Sequence, residues 1–392
     1  MLERVSLKDV KEKIESLKAL ARGIPEVSIT RAYLMTKSYI ETEGEPMPIR
    51  RAKALEKVLT EMPIRIRDGE LIVGDVSDKL GRSSCIPVEY FSEWLEREID
   101  MLDKREGDTY KISEEDKAIL LNEVLPYWKS KTMYSLAMSL MPEYVMKDVE
   151  NGVYIIGNLK TAISHVSVNY PKVLRLGLNG VKSEIEERLK SCDPTNYKDI
   201  ERIITYRAML IAIDAVIKFA RRYAELARKM AKEESDIQRK AELEKIAEIC
   251  EWVPANPARN FHEALQALWF IQCALYTEDY GWVFTLGRVD QYLYPYYKKD
   301  IEEGKLTKEQ AKLLLELLFI KFNYITLAVE AEHAKYFQGS NMLNIVVVGG
   351  ETEDGLDGVN ELSYLILDAD EQVRLIDPEI VVRVSKKILM SG

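Results

Sequence analysis

Residues 259–278, "RNFHEALQALWFIQCALYTE", decide the fold. A surface helix carries one apolar stripe, but here the apolar residues run nearly all the way round, so the helix is predicted to be buried on every side. Such a helix needs other elements packed around it. Downstream, residues 306–326, "LTKEQAKLLLELLFIKFNYIT", open with a capping box from Thr307 to Gln310 and are equally apolar. Residues 342–350, "MLNIVVVGG", and 377–386, "DPEIVVRVSK", read as buried strands, β-branched and bounded by Gly or charge. Between them, Asn360 is placed to cap a further helix. The order helix, strand, helix, strand predicts an α/β core with helices outside it.

Upstream the chain reads as helix after helix. Helices are predicted over 6–22, over 28–43 with Ser28 as N-cap, and over 47–63 between prolines. Residues 68–76, "DGELIVGDV", read as a short strand, 88–106 and 113–127 as helical, and 199–250 as two long helices. No internal repeat, low-complexity tract or linker divides the chain, so residues 1–392 are taken together.

Hydrophobic content of 47% and charged content of 31% are those of a soluble globular protein. No run of about 18 uncharged apolar residues is present, and the charged amphipathic start lacks the features of a signal peptide, so the cytoplasm is expected. A net charge of −10 repels nucleic acid and anionic lipid, and the basic runs "RRAK" and "RRYAELARK" read as solvated helix faces. The four cysteines, Cys85, Cys192, Cys250 and Cys273, include no CxxC pair and read as reduced structural thiols. With three histidines, a multi-His metal centre is not expected.

The densest chemistry lies in 278–300, "EDYGWVFTLGRVDQYLYPYYKKD". The span Gly281 to Gly287 has no Lys-Ser/Thr and is not a phosphate loop. Residues 346–362, "VVVGGETEDGLDGVNEL", fail the spacing of a calcium loop. Arg288 follows a glycine between apolar residues, and a buried guanidinium there needs Asp290, a backbone carbonyl or an anionic ligand as partner, a structural partner being the commoner case. The tyrosines of "DQYLYPYYKK" are too closely spaced for one face and are expected to pack where a helix ends at Pro295. His165, in "AISHVSVNYPKVLRLG", lies between apolar residues, where a lone His is more often structural than catalytic.

Several separated stretches together resemble the pyruvate formate-lyase-like glycyl radical enzymes. They are "RAYLMTKSYIETEGEPMPIRRAKALEKVL", "IRDGELIVGD", the run from "NPARNFHEALQALWFIQCALYTE" to "LGRVDQYLYPYYKKDI", "LNIVVVGGETEDGLDGVNELSYLILDA" and "DPEIVVRV". The likeness covers essentially the whole chain and is nearest the dehydratase and decarboxylase-like branch. It implies a helical shell around a half-barrel of strands, the first half of that family's ten-stranded α/β barrel. It also implies a radical lyase reaction. There a radical-SAM activating enzyme makes a glycyl radical, a cysteine thiyl radical forms from it, and a small-molecule substrate loses water, carboxylate, an amine or an acyl group. A homodimer is a further implication.

The chain lacks the two motifs that carry the radical chemistry in that family. None of the cysteine contexts "RSSCIPV", "LKSCDPT", "AEICEWV" and "FIQCALY" is the family's GCxE, and no RVxGY follows in "VVRVSKKILMSG". The expectation is therefore an N-terminal part of the domain, without catalytic cysteine or radical glycine and with no bound cofactor. It would be half of a split enzyme with a separate C-terminal half, a truncated product, or a non-catalytic interaction module. An open half-barrel exposes strand edges, which favours the first two.

The resemblance also carries site residues. His165 matches a histidine that faces the substrate pocket in glycerol-dehydratase-like members, where it would hydrogen-bond a hydroxyl or act as an acid. In polyol-dehydrating members a His-Ser pair follows the glycine that matches Gly281; here the pair is Trp282 and Val283. Substrate hydroxyls would lose partners in such a pocket, which implies a larger or more apolar substrate. The structural alternative is that Trp282 fills space left by a smaller neighbour.

Overall fold

The structure is a computed structural model that describes residues 7–153, 160, 162, 164–339 and 341–384. The helix Phe261–Asp279 runs through its centre, with almost every side chain buried. Asn260 caps it by accepting from the Glu263 amide at 2.9 Å. Such a cap is worth about 1 kcal/mol. Each fully buried Leu or Phe, such as Leu265, Leu268 and Phe270, contributes about 1.5–3 kcal/mol, so packing and not capping stabilises this helix.

Packed against it are the helices Met47–Glu61, Tyr197–Glu233, Ile237–Trp252 and Lys308–Phe322. The Thr307–Gln310 capping box opens the last of these, with bonds of 2.9 and 3.2 Å. Asn360 caps Glu361–Val373 as expected. No helix among the described residues is long and apolar enough to cross a membrane.

The strands form two small parallel sheets. In one, β1 (Glu26–Ser28) pairs with β2 (Ser83–Cys85). In the other, β3 (Thr285–Arg288), β4 (Ile345–Gly349) and β5 (Glu379–Arg383) lie in that order. Single parallel bridges, Glu26 to Lys111, Ser83 to Ile325 and Ser167 to Thr285, extend both sheets. Parallel strands joined through helices inside a helical shell make this an α/β fold.

Five local expectations are corrected. Ser28 does not cap a helix: it lies in β1, its hydroxyl donates to Asp78, and the helix Thr30–Glu41 starts without a side-chain cap. Residues 68–76 form no strand. Their neighbour is the central helix, whose Gln266 bonds both the amide and the carbonyl of Val73, at 2.8 and 2.7 Å, and whose Trp269 indole donates to the Gly74 carbonyl. Residues 88–106 hold one helical turn, Leu95–Glu98, and a 3-10 turn, Ile99–Met101. A longer helix is blocked because the carbonyls of Glu89 and Tyr90 accept from Met133 and Tyr134. Pro295 begins a helix, Tyr294–Glu302, where its missing N–H costs nothing. Finally, β5 is exposed where a buried strand was expected: it pairs only with β4 among the described residues, and Val381 and Val382 are 44% and 53% exposed. Ser385 and Lys386, included in that expected strand, lie outside the described residues.

Candidate functional site

The central helix ends at Tyr280, whose φ of 44° turns the chain in the left-handed region. Its buried phenol holds the turn by accepting from the Cys85 amide (2.6 Å) and donating to the Thr326 carbonyl (3.0 Å). Three residues later Val283 has a φ of 62°, and Leu343, just before β4, has a φ of 53°. The Val283 amide donates to the Met342 carbonyl at 2.9 Å. Alongside, Ser164 and His165 have φ of 55° and 57°, and the His165 amide donates to the Trp282 carbonyl at 3.0 Å. Five non-glycine residues in the left-handed region thus gather at the N-terminal ends of β3 and β4. Each costs roughly 1–3 kcal/mol and persists only where its surroundings over-determine it, a pattern typical of functional sites.

Gly281 allows the two segments to meet. A Cβ on it would lie 2.7 Å from the Ser164 Cβ and 3.1 Å from its Cα. His165 is exposed, with Nδ1 2.8 Å from the Ser164 hydroxyl. That contact engages one ring nitrogen and leaves Nε2 for a ligand. The Trp282 indole is 8% exposed and stacks on Phe337, with centroids 4.8 Å apart, and against His333 at 5.4 Å. Burial pushes the His333 pKa down and favours the neutral ring. Behind the stack, Phe91, Trp94, Glu330, His333 and Lys160 bound a void of about 10 Å³, room for one water. Lys160 pairs there with Glu330.

His165, Trp282 and Val283 therefore come together, and Arg288 lies apart from them. It ends β3, five residues beyond Val283. Its guanidinium donates to the carbonyls of Gly349 and Glu351, both at 2.7 Å. Asp290 instead accepts from the Gly349 amide and the Ser363 hydroxyl. Sequence reasoning missed Ser164, Asp279, His333 and Phe337. Ser164 adjoins His165 in the chain, but Asp279, His333 and Phe337 reach their partners through tertiary contact, for which spacing offers no signal.

A family model described as pyruvate formate lyase-like matches residues 6–389. The chain belongs to the pyruvate formate lyase-like family. Among its relatives it is 36% identical to the isethionate sulfite-lyase of Oleidesulfovibrio alaskensis, over 93% of this chain and 45% of that protein. It is likewise 36% identical to the trans-4-hydroxy-L-proline dehydratase of Clostridioides difficile, over 93% and 46%. The solved structure of the B12-independent glycerol dehydratase from Clostridium butyricum, with glycerol bound, superposes with a TM-score of 0.92 at 38% identity, over 97% of this chain and 48% of that one. The chain thus spans about half the length of the pyruvate formate lyase-like relatives it matches.

Within this pyruvate formate lyase-like chain three of the four thiols are remote from solvent. Cys85, Cys250 and Cys273 are buried, and burial raises each thiol pKa, that of Cys85 to about 11. The Cys85 sulfur donates to the Val76 carbonyl. Cys192 is half-buried just past the helix Tyr170–Lys190, with its sulfur on the Arg188 carbonyl.

Proposed function

We propose that residues 1–392 form the substrate-facing N-terminal part of a glycyl radical lyase that cleaves a C–C or C–X bond in a small molecule. The observation that carries this reading is the left-handed cluster that sets His165 beside Trp282 and Val283, in a chain of this family. Nothing among the four cysteines fits the family's thiyl residue: none stands in GCxE, and three are buried. The thiyl cysteine and the radical glycine come from outside residues 1–392, either from further chain or from a second polypeptide. The glycyl radical, installed by a radical-SAM activating enzyme, supplies the hydrogen-atom abstraction.

The residues of this chain bind and orient. His165 offers Nε2 to a substrate hydroxyl or to a leaving group that needs a proton. Trp282 and Val283 provide an apolar wall in place of two hydrogen-bonding groups, which disfavours polyols because their hydroxyls would be desolvated without partners. The wall suits a larger or more apolar substrate. The exposed β5 edge supports a further polypeptide lying against it.

The test is anaerobic activation by a radical-SAM activase, with and without a polypeptide carrying GCxE and RVxGY. A paramagnetic resonance doublet is expected only in the completed sample, which should then leave glycerol and 1,2-propanediol unreacted. A doublet from residues 1–392 alone would defeat the reading.

A further inference from the structure

We propose that Asp279 is a positioning residue that fixes the left-handed Ser164–His165 step and thereby places the His165 imidazole. The inference rests on reading His165 as a pocket residue, and its test does not depend on turnover.

Asp279 is the last residue of the central helix and is 4% exposed. A carboxylate is unfavourable at a helix C-terminus, where the backbone dipole is already negative. Asp279 is therefore not placed there for the helix's own stability. Its Oδ2 accepts from the Ser164 amide at 2.8 Å, and its Oδ1 accepts from the Tyr90 hydroxyl at 3.2 Å. Tyr90 in turn accepts from Arg51 at 3.0 Å. Two guanidiniums answer the negative helix end. Arg31 donates to the carbonyls of Thr277 (2.7 Å) and Glu278 (3.1 Å), and Arg51 pairs with the Glu278 side chain. Arg31 is itself fixed by a two-pronged pair with Glu89, at 2.6 and 3.1 Å.

The carboxylate that grips Ser164 is thus part of a braced helix terminus, and a left-handed non-glycine step needs such a brace. The Ser164 side chain lies against Gly281, two residues past Asp279, so the grip and the close approach act on the same residue. Upstream of Ser164, Lys160 pairs with Glu330, its nitrogen 5.3 Å from the Phe91 ring centre.

The experiment uses the 392-residue chain labelled with ¹⁵N-histidine, together with hydrogen exchange of the segment around Ser164. The three histidines are assigned by single replacement, and His262 and His333 serve as internal references. In D279A the Ser164 and His165 amides should exchange faster by about tenfold or more, the size expected for losing a bond to a charged acceptor. The His165 ring signals should move while those of His262 stay. D279N keeps an acceptor for the Ser164 amide and should restore protection. Should D279A fail to fold, D279E carries the test: it keeps the charge, moves the carboxylate by one methylene, and should displace the His165 signals. Unchanged exchange and unchanged His165 signals in folded D279A, or unmoved signals in D279E, would overturn the proposal. Loss of His165 function in turnover assays without these changes would concern the pocket reading and not this one.

Discussion

Asp75 and Asp377 are both buried carboxylates, and they are held differently. Asp75 accepts from Arg67 and Lys321 at 3.0 Å, and the same two cations bond Glu70 at 2.8 and 2.7 Å. Two cations and two anions balance, and Arg239 closes the cluster by donating to the carbonyls of Glu70 and Arg67. Burial opposes ionisation of Asp75, yet Lys321 and Arg67 outweigh it and hold its carboxyl below the ordinary range. Asp377, just before β5, accepts from the amide and side chain of Asn344. Burial raises its pKa to about 6, and no cation among the described residues bonds it. The helical side is thus locked by charge balance. The strand-end side, where Asn344 adjoins left-handed Leu343, relies on neutral hydrogen bonds and tolerates strain. Stability and site geometry are carried by different parts of the molecule.

The contrast breaks most visibly at Lys321. Replacing it by Met leaves Glu70 and Asp75 sharing one guanidinium, and the loss expected from an unpaired buried charge is about 3–5 kcal/mol, read as a lowered urea midpoint. Because the Asp75 pKa is depressed, its contribution is present above the unfolded value and is lost as pH falls through the folded one. The wild type should therefore weaken in strong acid.

Asp377 carries the opposite sign. Its raised folded pKa gives stability that is full below the unfolded value of 3.8 and is lost as pH rises through about 6. D377N should gain on the order of 2–3 kcal/mol at pH 7.5 and flatten the melting profile between pH 4 and 7, as scanning calorimetry would register. A flat wild-type profile across that window would remove the distinction between the two sides.

G281A sharpens the contrast at the site. The added Cβ meets Ser164 backbone and side chain, so a loss of about 1–3 kcal/mol is expected, with displaced His165 resonances. The smallest effect belongs to Arg288. R288K should cost about 1 kcal/mol, because a lysine cannot span the Gly349 and Glu351 carbonyls as the fork does, and should leave KM of the completed enzyme unchanged. A large KM change would return Arg288 to the ligand.

Much of the fold was legible because it is written locally. The all-round apolar helix, the Thr307 box and the Asn360 cap depend on residues within a few positions of one another. What failed depended on neighbours. "IVVVG" and "EIVVR" look alike, yet β4 lies between two strands and β5 at an edge. "DGELIVGDV" has strand composition but meets Gln266 and Trp269 instead of a strand. Of the candidate site, the grouping of His165, Trp282 and Val283 was suggested only by the family likeness. Asp279 and Phe337 were not, because their partners are far away in sequence.

On the proposed function, the left-handed cluster presents His165 to substrate. The most direct measurement is kcat/KM of the completed, activated enzyme with H165Q against wild type, at equal radical content. A fall of about 10²- to 10⁴-fold is predicted, the range for losing a positioned acid or hydrogen-bonding group. Turnover at the wild-type rate would contradict it.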